Sequence, residues 1–100
     1  MDATPPPGWT LQENALVRTF ERADFVEALA FLLAAAKPAE KANHHPDVDL
    51  RYNKLHFRLS THSAGHRVTA KDFALAEEIN GLDEAHIRSI TEDLRRRLAA

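Results

Sequence analysis

The most constraining feature of the sequence is a strict alternation of apolar and polar side chains over residues 54–60. Apolar side chains occupy every second position and polar ones lie between them: Leu55, Phe57 and Leu59 against Lys54, His56, Arg58 and Ser60. Because successive side chains of a strand point to opposite faces, this pattern predicts a strand with one buried and one polar face. Residues 48–52 are predicted to pair with it in a hairpin that turns around Asn53. The buried face of such a sheet needs a covering layer.

A long helix is predicted before this hairpin. Asp24, followed by Glu27 three residues later, resembles a capping box, and apolar residues then recur at helical spacing over about residues 25–43. Pro38 lies inside this segment, and a proline there removes a helical hydrogen bond at a cost of about 3 kcal/mol. We therefore expect a kink or break near residues 36–37, followed by a short helical turn.

The rest of the chain supplies a second hairpin and a further helix. Residues 9–12 and 15–21 read as two short strands, because side chains in the second segment again alternate. Thr69, with Asp72 three residues later, is another capping box and predicts a helix that ends at residues 80–81. Hairpins segregated from helices in this way predict an α+β fold: a two-layer, four-stranded antiparallel sheet with helices on one face.

A last amphipathic helix is predicted from Asp83. Its apolar residues recur at spacings of three and four: Ile87, Ile90, Leu94 and Leu98. Oppositely charged residues four apart, Glu92 with Arg96 and Asp93 with Arg97, favour the same helix. Its apolar stripe needs a partner, which is either its own sheet layer or another subunit, and we favour the second.

Composition limits the functional classes. A chain of 100 residues with a net charge of −2 and no cysteine is the size of one domain and carries neither a basic footprint for nucleic acid nor a disulfide framework. The longest apolar run, residues 28–36, is too short for a membrane span. We expect a cytoplasmic protein with a loose, proline-rich lead-in over residues 1–8.

The segment 40–46, with the sequence EKANHHP, concentrates titratable groups at a junction between helix and strand. Glu40 and His44 are four residues apart and share a face if the helical turn persists. His44 and His45 are adjacent and point in different directions. Counting every second residue onward from Ser60 places His62 on the polar side of the strand as it ends. Imidazoles titrate near neutral pH, so three of them around one pocket could supply both a proton donor and an acceptor.

Simpler interpretations exist for several of these residues. His56, His66 and His86 are read as ordinary surface or hydrogen-bonded histidines. The capping box alone accounts for an acidic residue at Asp72, and Glu40 could be ordinary helix surface.

Four separated blocks resemble the pterin-4a-carbinolamine dehydratase family. They are residues 40–46, 51–55, 59–65 and 69–73, and they occur in the family's order. Weaker agreement extends the resemblance over about residues 8–82. The resemblance implies a four-stranded antiparallel sheet with helices on one face, commonly assembled into dimers or tetramers.

The resemblance also implies an active site. The family's three catalytic histidines match His44, His45 and His62, and positions that line or support the pterin pocket match Glu40, Asn43, Ser60, Thr61 and Asp72. The sequence departs from the family in four places. Val48 stands where many relatives have an aromatic residue, the loop at residues 65–69 is one residue longer, and Pro38 and the helix after Gly81 are additional.

The implied activity is the dehydration of a 4a-hydroxytetrahydropterin to the quinonoid dihydropterin by histidine acid/base catalysis, as in tetrahydrobiopterin recycling. The implied enzyme uses no metal and no organic cofactor, and residues 9–82 form its domain, followed by the helix over residues 83–100. Two alternatives stay open. His44, His45, His62 and Glu40 could be metal ligands, and the same scaffold serves in some relatives as a protein-interaction or assembly factor.

Overall fold

The computed structural model describes residues 4–99 and confirms the α+β class. Its elements are β1 (Thr10–Gln12), β2 (Ala15–Glu21), α1 (Phe25–Ala42), β3 (Asp47–Arg51), β4 (Lys54–Leu59), a single 3₁₀ turn (His62–Ala64), α2 (Ala70–Asn80) and α3 (Glu84–Leu98). The four strands form one antiparallel sheet in the order β1-β2-β4-β3. Both predicted hairpins are therefore present, and β4 lies inside the sheet between β2 and β3.

The alternating pattern of β4 builds the core as predicted. Leu55, Phe57 and Leu59 are almost fully buried, and each such side chain contributes about 1.5–3 kcal/mol through burial. The ring of Phe57 contacts those of Phe20 and Phe31 with centroids 5.6 Å and 6.2 Å apart, so an aromatic cluster joins the sheet to α1.

The predicted break in α1 is wrong, because the helix continues through Pro38 to Ala42. Its start is as expected: the Asp24 side chain accepts a hydrogen bond of 2.9 Å from the Glu27 N–H. Alanines on both sides of the proline are buried against the core, including Ala35 and Ala39. Burial of this face offsets the one hydrogen bond that Pro38 removes.

The proline-rich segment is held to the domain at its C-terminal end. The Pro7 carbonyl accepts hydrogen bonds from Arg18 (3.0 Å) and from Asn80 at the end of α2 (2.9 Å). The Asn80 side-chain oxygen in turn accepts from Trp9 (2.8 Å) and from Arg18 (2.6 Å). Gly8 has a φ of +83°, and a Cβ there would lie 2.5 Å from the Arg18 guanidinium carbon. Residues 1–3 of the segment lie outside the described residues.

The last helix, α3, packs against α1 of the same chain, with Ile87 fully buried. Our preference for another subunit as the partner of its apolar stripe is therefore wrong for this face, although Leu98 stays exposed. The predicted pair of Asp93 and Arg97 forms at 2.8 Å, but Arg96 lies 3.5 Å from Asp93 instead of pairing with Glu92.

Two ion pairs attach α3 near the start of α1. Arg22 bonds Glu84 at 2.8 Å, and Arg95 bonds Asp24 at 2.8 Å. The hydrogen bond from Arg22 holds the pKa of Glu84 below its ordinary value. The pKa of Asp24 is lowered first by the backbone N–H of Glu27 and then by Arg95.

None of the helices in residues 4–99 is long and apolar enough to cross a bilayer.

Candidate active site

A cleft of about 310 Å³ lies where the end of α1, the end of β4 and the first turn of α2 meet. It is lined by Asn43, His44, His45, Ser60, Thr61, His62, Ser63 and Lys71. The three histidines singled out in the sequence therefore line one cavity, although the second and the third are 17 positions apart in the sequence.

The end of α1 directs two of these histidines differently. Asn43 takes a left-handed conformation with a φ of 50°, and its N–H bonds the Ala39 and Glu40 carbonyls, which terminates the helix. His44 then turns inward, with only 11% of its side chain exposed, whereas 57% of the His45 side chain is exposed. Adjacent residues thus present one enclosed and one open imidazole to the same cleft.

A buried hydrogen-bond network fixes His44. Its Nε2 lies 2.6 Å from Oδ1 of Asp72, and the other carboxylate oxygen accepts from the Thr61 hydroxyl (2.7 Å) and the Thr69 N–H (2.9 Å). Because an ionised carboxylate only accepts, His44 donates from Nε2. The Thr61 proton is directed at Asp72, so the Thr69 hydroxyl donates to Thr61 at 2.7 Å and itself accepts from the Lys71 N–H. The donor and the acceptor of every hydrogen bond in this network are therefore assigned.

His45 is held in a more exposed way. Its Nε2 lies 2.7 Å from Oε2 of Glu40, one turn back on α1. Glu40 is 79% exposed and does not line the cleft. Like Asp72, it bonds a histidine that lines the cleft but does not line the cleft itself.

His62 begins the 3₁₀ turn that follows β4, and its ring packs against that of His66. The centroids are 4.7 Å apart with 47° between the planes. The surface interpretation holds for His86 on α3 and for His56, which is exposed and bonds Thr19 at 2.8 Å. His66 is also exposed, but its contact with His62 gives it a place beside the cleft that the sequence did not indicate.

Two residues that line the cleft were missed in the sequence. Ser63 follows His62 in the 3₁₀ turn, and Lys71 lies in the first turn of α2, directly before Asp72. The only indication of these two residues in the sequence was that each lies next to a predicted site residue, since neither belongs to a periodic pattern. No carboxylate lines the cleft among residues 4–99, so its walls offer hydroxyls, an amide, an ammonium and imidazoles.

This arrangement suits proton transfer to and from a neutral, polar ring. Imidazoles donate or accept near neutral pH, and the hydroxyl groups of Ser60 and Ser63 can bind ring substituents. Within residues 4–99, no three histidine or carboxylate side chains are grouped closely enough to form a metal-ligand set.

The model of the family described as pterin 4 alpha carbinolamine dehydratase matches residues 1–82. A protein of Chloroflexus aurantiacus, provisionally named pterin-4-alpha-carbinolamine dehydratase, is 51% identical over 74 residues, which is 74% of this chain and 78% of the relative. A protein of Thermomicrobium roseum with the same provisional name is 49% identical over 73 residues, or 73% and 77% of the two chains.

Solved structures show the same fold. A transcriptional coactivator/pterin dehydratase from Brucella melitensis superposes with a TM-score of 0.71 at 36% identity, covering 76% of this chain and 82% of the other. A pterin dehydratase-like protein, identified as a RuBisCO assembly factor in the alpha-carboxysome, superposes with a TM-score of 0.60 at 19% identity, covering 74% and 84%. At that identity the second likeness shows the fold alone.

Proposed function

The chain belongs to the pterin 4 alpha carbinolamine dehydratase family, and from this premise we propose that it removes water from a 4a-hydroxytetrahydropterin to give the quinonoid dihydropterin. The observation that carries the proposal is the convergence of His44, His45 and His62 on one cleft, with His44 fixed from behind by Asp72. Loss of water requires one proton for the departing hydroxyl and the removal of one ring N–H proton. Two positioned imidazoles meet that need without net proton uptake.

His44 is proposed as the base. Its Nε2 donates to Asp72, so Nδ1 is the ring nitrogen left to accept the N–H proton of the pterin. The buried carboxylate then stabilises the imidazolium that forms, in the way that an aspartate supports the histidine of a catalytic triad. A ring fixed in this way keeps the same nitrogen available to the substrate throughout the step.

His62 is proposed to protonate the departing 4a-hydroxyl, which leaves as water. The side chain is exposed, so it can recover a proton from solvent as the His44 imidazolium releases one, which returns both rings to their starting states. His45, held by Glu40, is proposed to orient the pterin together with Asn43, Ser60 and Thr61. Each positioned acid or base typically contributes about 10² to 10⁴-fold to the rate.

The wider biological setting belongs to the same proposal. We place the reaction in the cytoplasm, in the recycling of tetrahydrobiopterin used by a hydroxylase, with residues 9–82 as the catalytic domain and α3 as an addition to it. We also expect a homodimer or homotetramer. A protein-interaction role on this scaffold is the alternative, and the complete histidine set favours the enzyme.

The test is the decay of enzymatically generated 4a-carbinolamine, followed by ultraviolet absorbance. Folded protein should accelerate the decay, and His44→Ala or His62→Ala should remove most of the acceleration. His56→Ala and His86→Ala are matched controls because both rings lie outside the cleft. A decay rate equal to that of buffer would refute the enzyme and favour the interaction role, and equal losses at all four positions would mean that the wrong histidines were assigned.

Chelation separates the acid/base mechanism from a metal-centred one. Activity should survive dialysis against a chelator, because the proposed steps move protons only. Stoichiometric metal in the purified protein, together with activity that returns only on its addition, would contradict the proposed mechanism.

A further inference from the structure

The three histidines of the cleft differ in what holds their rings. His44 is hydrogen-bonded to Asp72 at 2.6 Å, and His45 is hydrogen-bonded to Glu40 at 2.7 Å. The ring of His62 makes no hydrogen bond within residues 4–99, and the aromatic ring that contacts it is that of His66, at 4.7 Å between centroids. A proton donor that is exposed and unbonded would otherwise exchange among rotamers.

The backbone brings His66 to this position. The His66 N–H donates to the Thr61 carbonyl (3.1 Å), and the Thr61 N–H donates to the Arg67 carbonyl (2.9 Å), so the loop closes on the residue just before His62. Gly65 and His66 both have left-handed φ angles, of 78° and 59°, which reverse the chain. Histidine is among the non-glycine residues that adopt this region more readily, so residue 66 can complete the reversal that returns the chain toward His62.

We propose that His66 is a positioning residue that holds the imidazole of His62 toward the cleft. It acts on His62 as Asp72 acts on His44 and as Glu40 acts on His45, but through ring packing in place of a hydrogen bond. Because residue 66 is exposed, core packing does not require a ring there. The effect of His66 on turnover rests on the proposed function. Its effect on the orientation of the His62 ring rests on the ring contact alone.

Two substitutions separate the ring from the backbone. His66→Asn removes the ring and keeps a residue that tolerates the left-handed conformation. It should lower kcat about tenfold and leave KM within about twofold, because a misaligned acid slows the chemical step more than binding. His66→Phe supplies a flat ring that cannot titrate and should restore kcat to within about threefold of wild type.

His86→Asn is the matched control, since His86 is an exposed histidine on α3 and should not affect turnover. An unchanged kcat in His66→Asn would overturn the proposal. A loss in His66→Asn that His66→Phe does not restore would also overturn it, because the imidazole itself and not its packing would then be required.

NMR of the substrate-free protein tests the ring contact independently of activity. In His66→Asn the ring-proton signals of His62 should shift, because the neighbouring ring current is lost, whereas those of His44 should not. If wild-type protein shows no turnover, the proposed function fails, but this measurement still decides whether the two rings pack together, as the positioning role requires. Unchanged His62 signals would refute it.

Discussion

Nε2 of His44 lies 2.6 Å from Oδ1 of Asp72, and the Asp72 side chain is completely buried. The second oxygen of the same carboxylate caps α2 through the Thr69 N–H and accepts the Thr61 hydroxyl. One carboxylate therefore bonds His44 through one oxygen and caps α2 through the other. The start of α2 and the orientation of His44 are coupled through one carboxylate.

We predict that Asp72→Asn lowers kcat by about 10² to 10⁴-fold. An asparagine has only one acceptor oxygen, and if that oxygen keeps the bonds from Thr61 and Thr69, its NH₂ faces Nε2 of His44. His44 must then move its proton to Nδ1 and can no longer accept one there. Steady-state kinetics of the purified variant would show the loss.

Thr69→Ala is the control for this substitution. It weakens the cap of α2, at a cost of about 1 kcal/mol, but leaves the carboxylate that bonds His44. Both variants should be less stable in urea, and only Asp72→Asn should lose most of its turnover. Equal kcat losses in the two variants would mean that helix stability, and not the His44 proton, controls the rate.

The elements that the sequence predicted well are those with a local signal. The alternation in β4 and the caps at Asp24 and Thr69 each specify backbone geometry from neighbouring residues. The break predicted at Pro38 was wrong because the sequence shows only the local free-energy cost of a proline in a helix. The burial of Ala35 and Ala39, which offsets that cost, depends on the tertiary fold.

The parts that could not be predicted depend on loops and on the choice between partners. The apolar stripe of α3 identifies a buried face but not the surface that covers it, which is α1. Likewise, His66 follows no periodic pattern and reaches His62 through two left-handed residues in succession. The convergence of the three histidines could be predicted only in part. The alternation of side chains along β4 placed His62 on the polar face but did not place it beside His44 and His45.

We predict that Asn80→Ala destabilises the protein by about 1–3 kcal/mol, because it removes a shared acceptor for Trp9 and Arg18 and a donor to Pro7. Asn80→Asp should cost less, since it keeps the acceptor oxygen. Urea denaturation measures both changes, and a midpoint for Asn80→Ala equal to that of wild type would contradict the role assigned to this contact.

Acid should loosen α3. The pKa values of Asp24 and Glu84 are lowered in the folded chain, so in acid the unfolded chain binds more protons and stability rises with pH. Their contribution is complete above the ordinary carboxyl pKa of about 4 and is lost as the pH falls through the lower folded values. The double variant Asp24→Asn with Glu84→Gln should show a shallower loss of stability between about pH 5 and pH 3.

Glu92→Gln is the control for that pH series, because Glu92 makes no ion pair among residues 4–99. Its pH profile should follow wild type. A double variant whose profile also follows wild type would show that the ion pairs with Arg95 and Arg22 do not contribute to acid stability.

The attachment of α3 to its own chain predicts a large effect at Ile87. This side chain is 1% exposed, so Ile87→Ala should lower the free energy of unfolding by about 2–5 kcal/mol, through lost burial and the cavity left behind. Leu98→Ala, at a side chain that is 57% exposed, should change it by less than about 0.5 kcal/mol. No residue of α3 lines the cleft, so the folded Ile87→Ala protein should keep the kcat of wild type. Light scattering of the same variants gives the assembled mass: if Ile87→Ala dissociates an oligomer without lowering the stability of the subunit, Ile87 contacts another subunit and its packing against α1 is not what buries it.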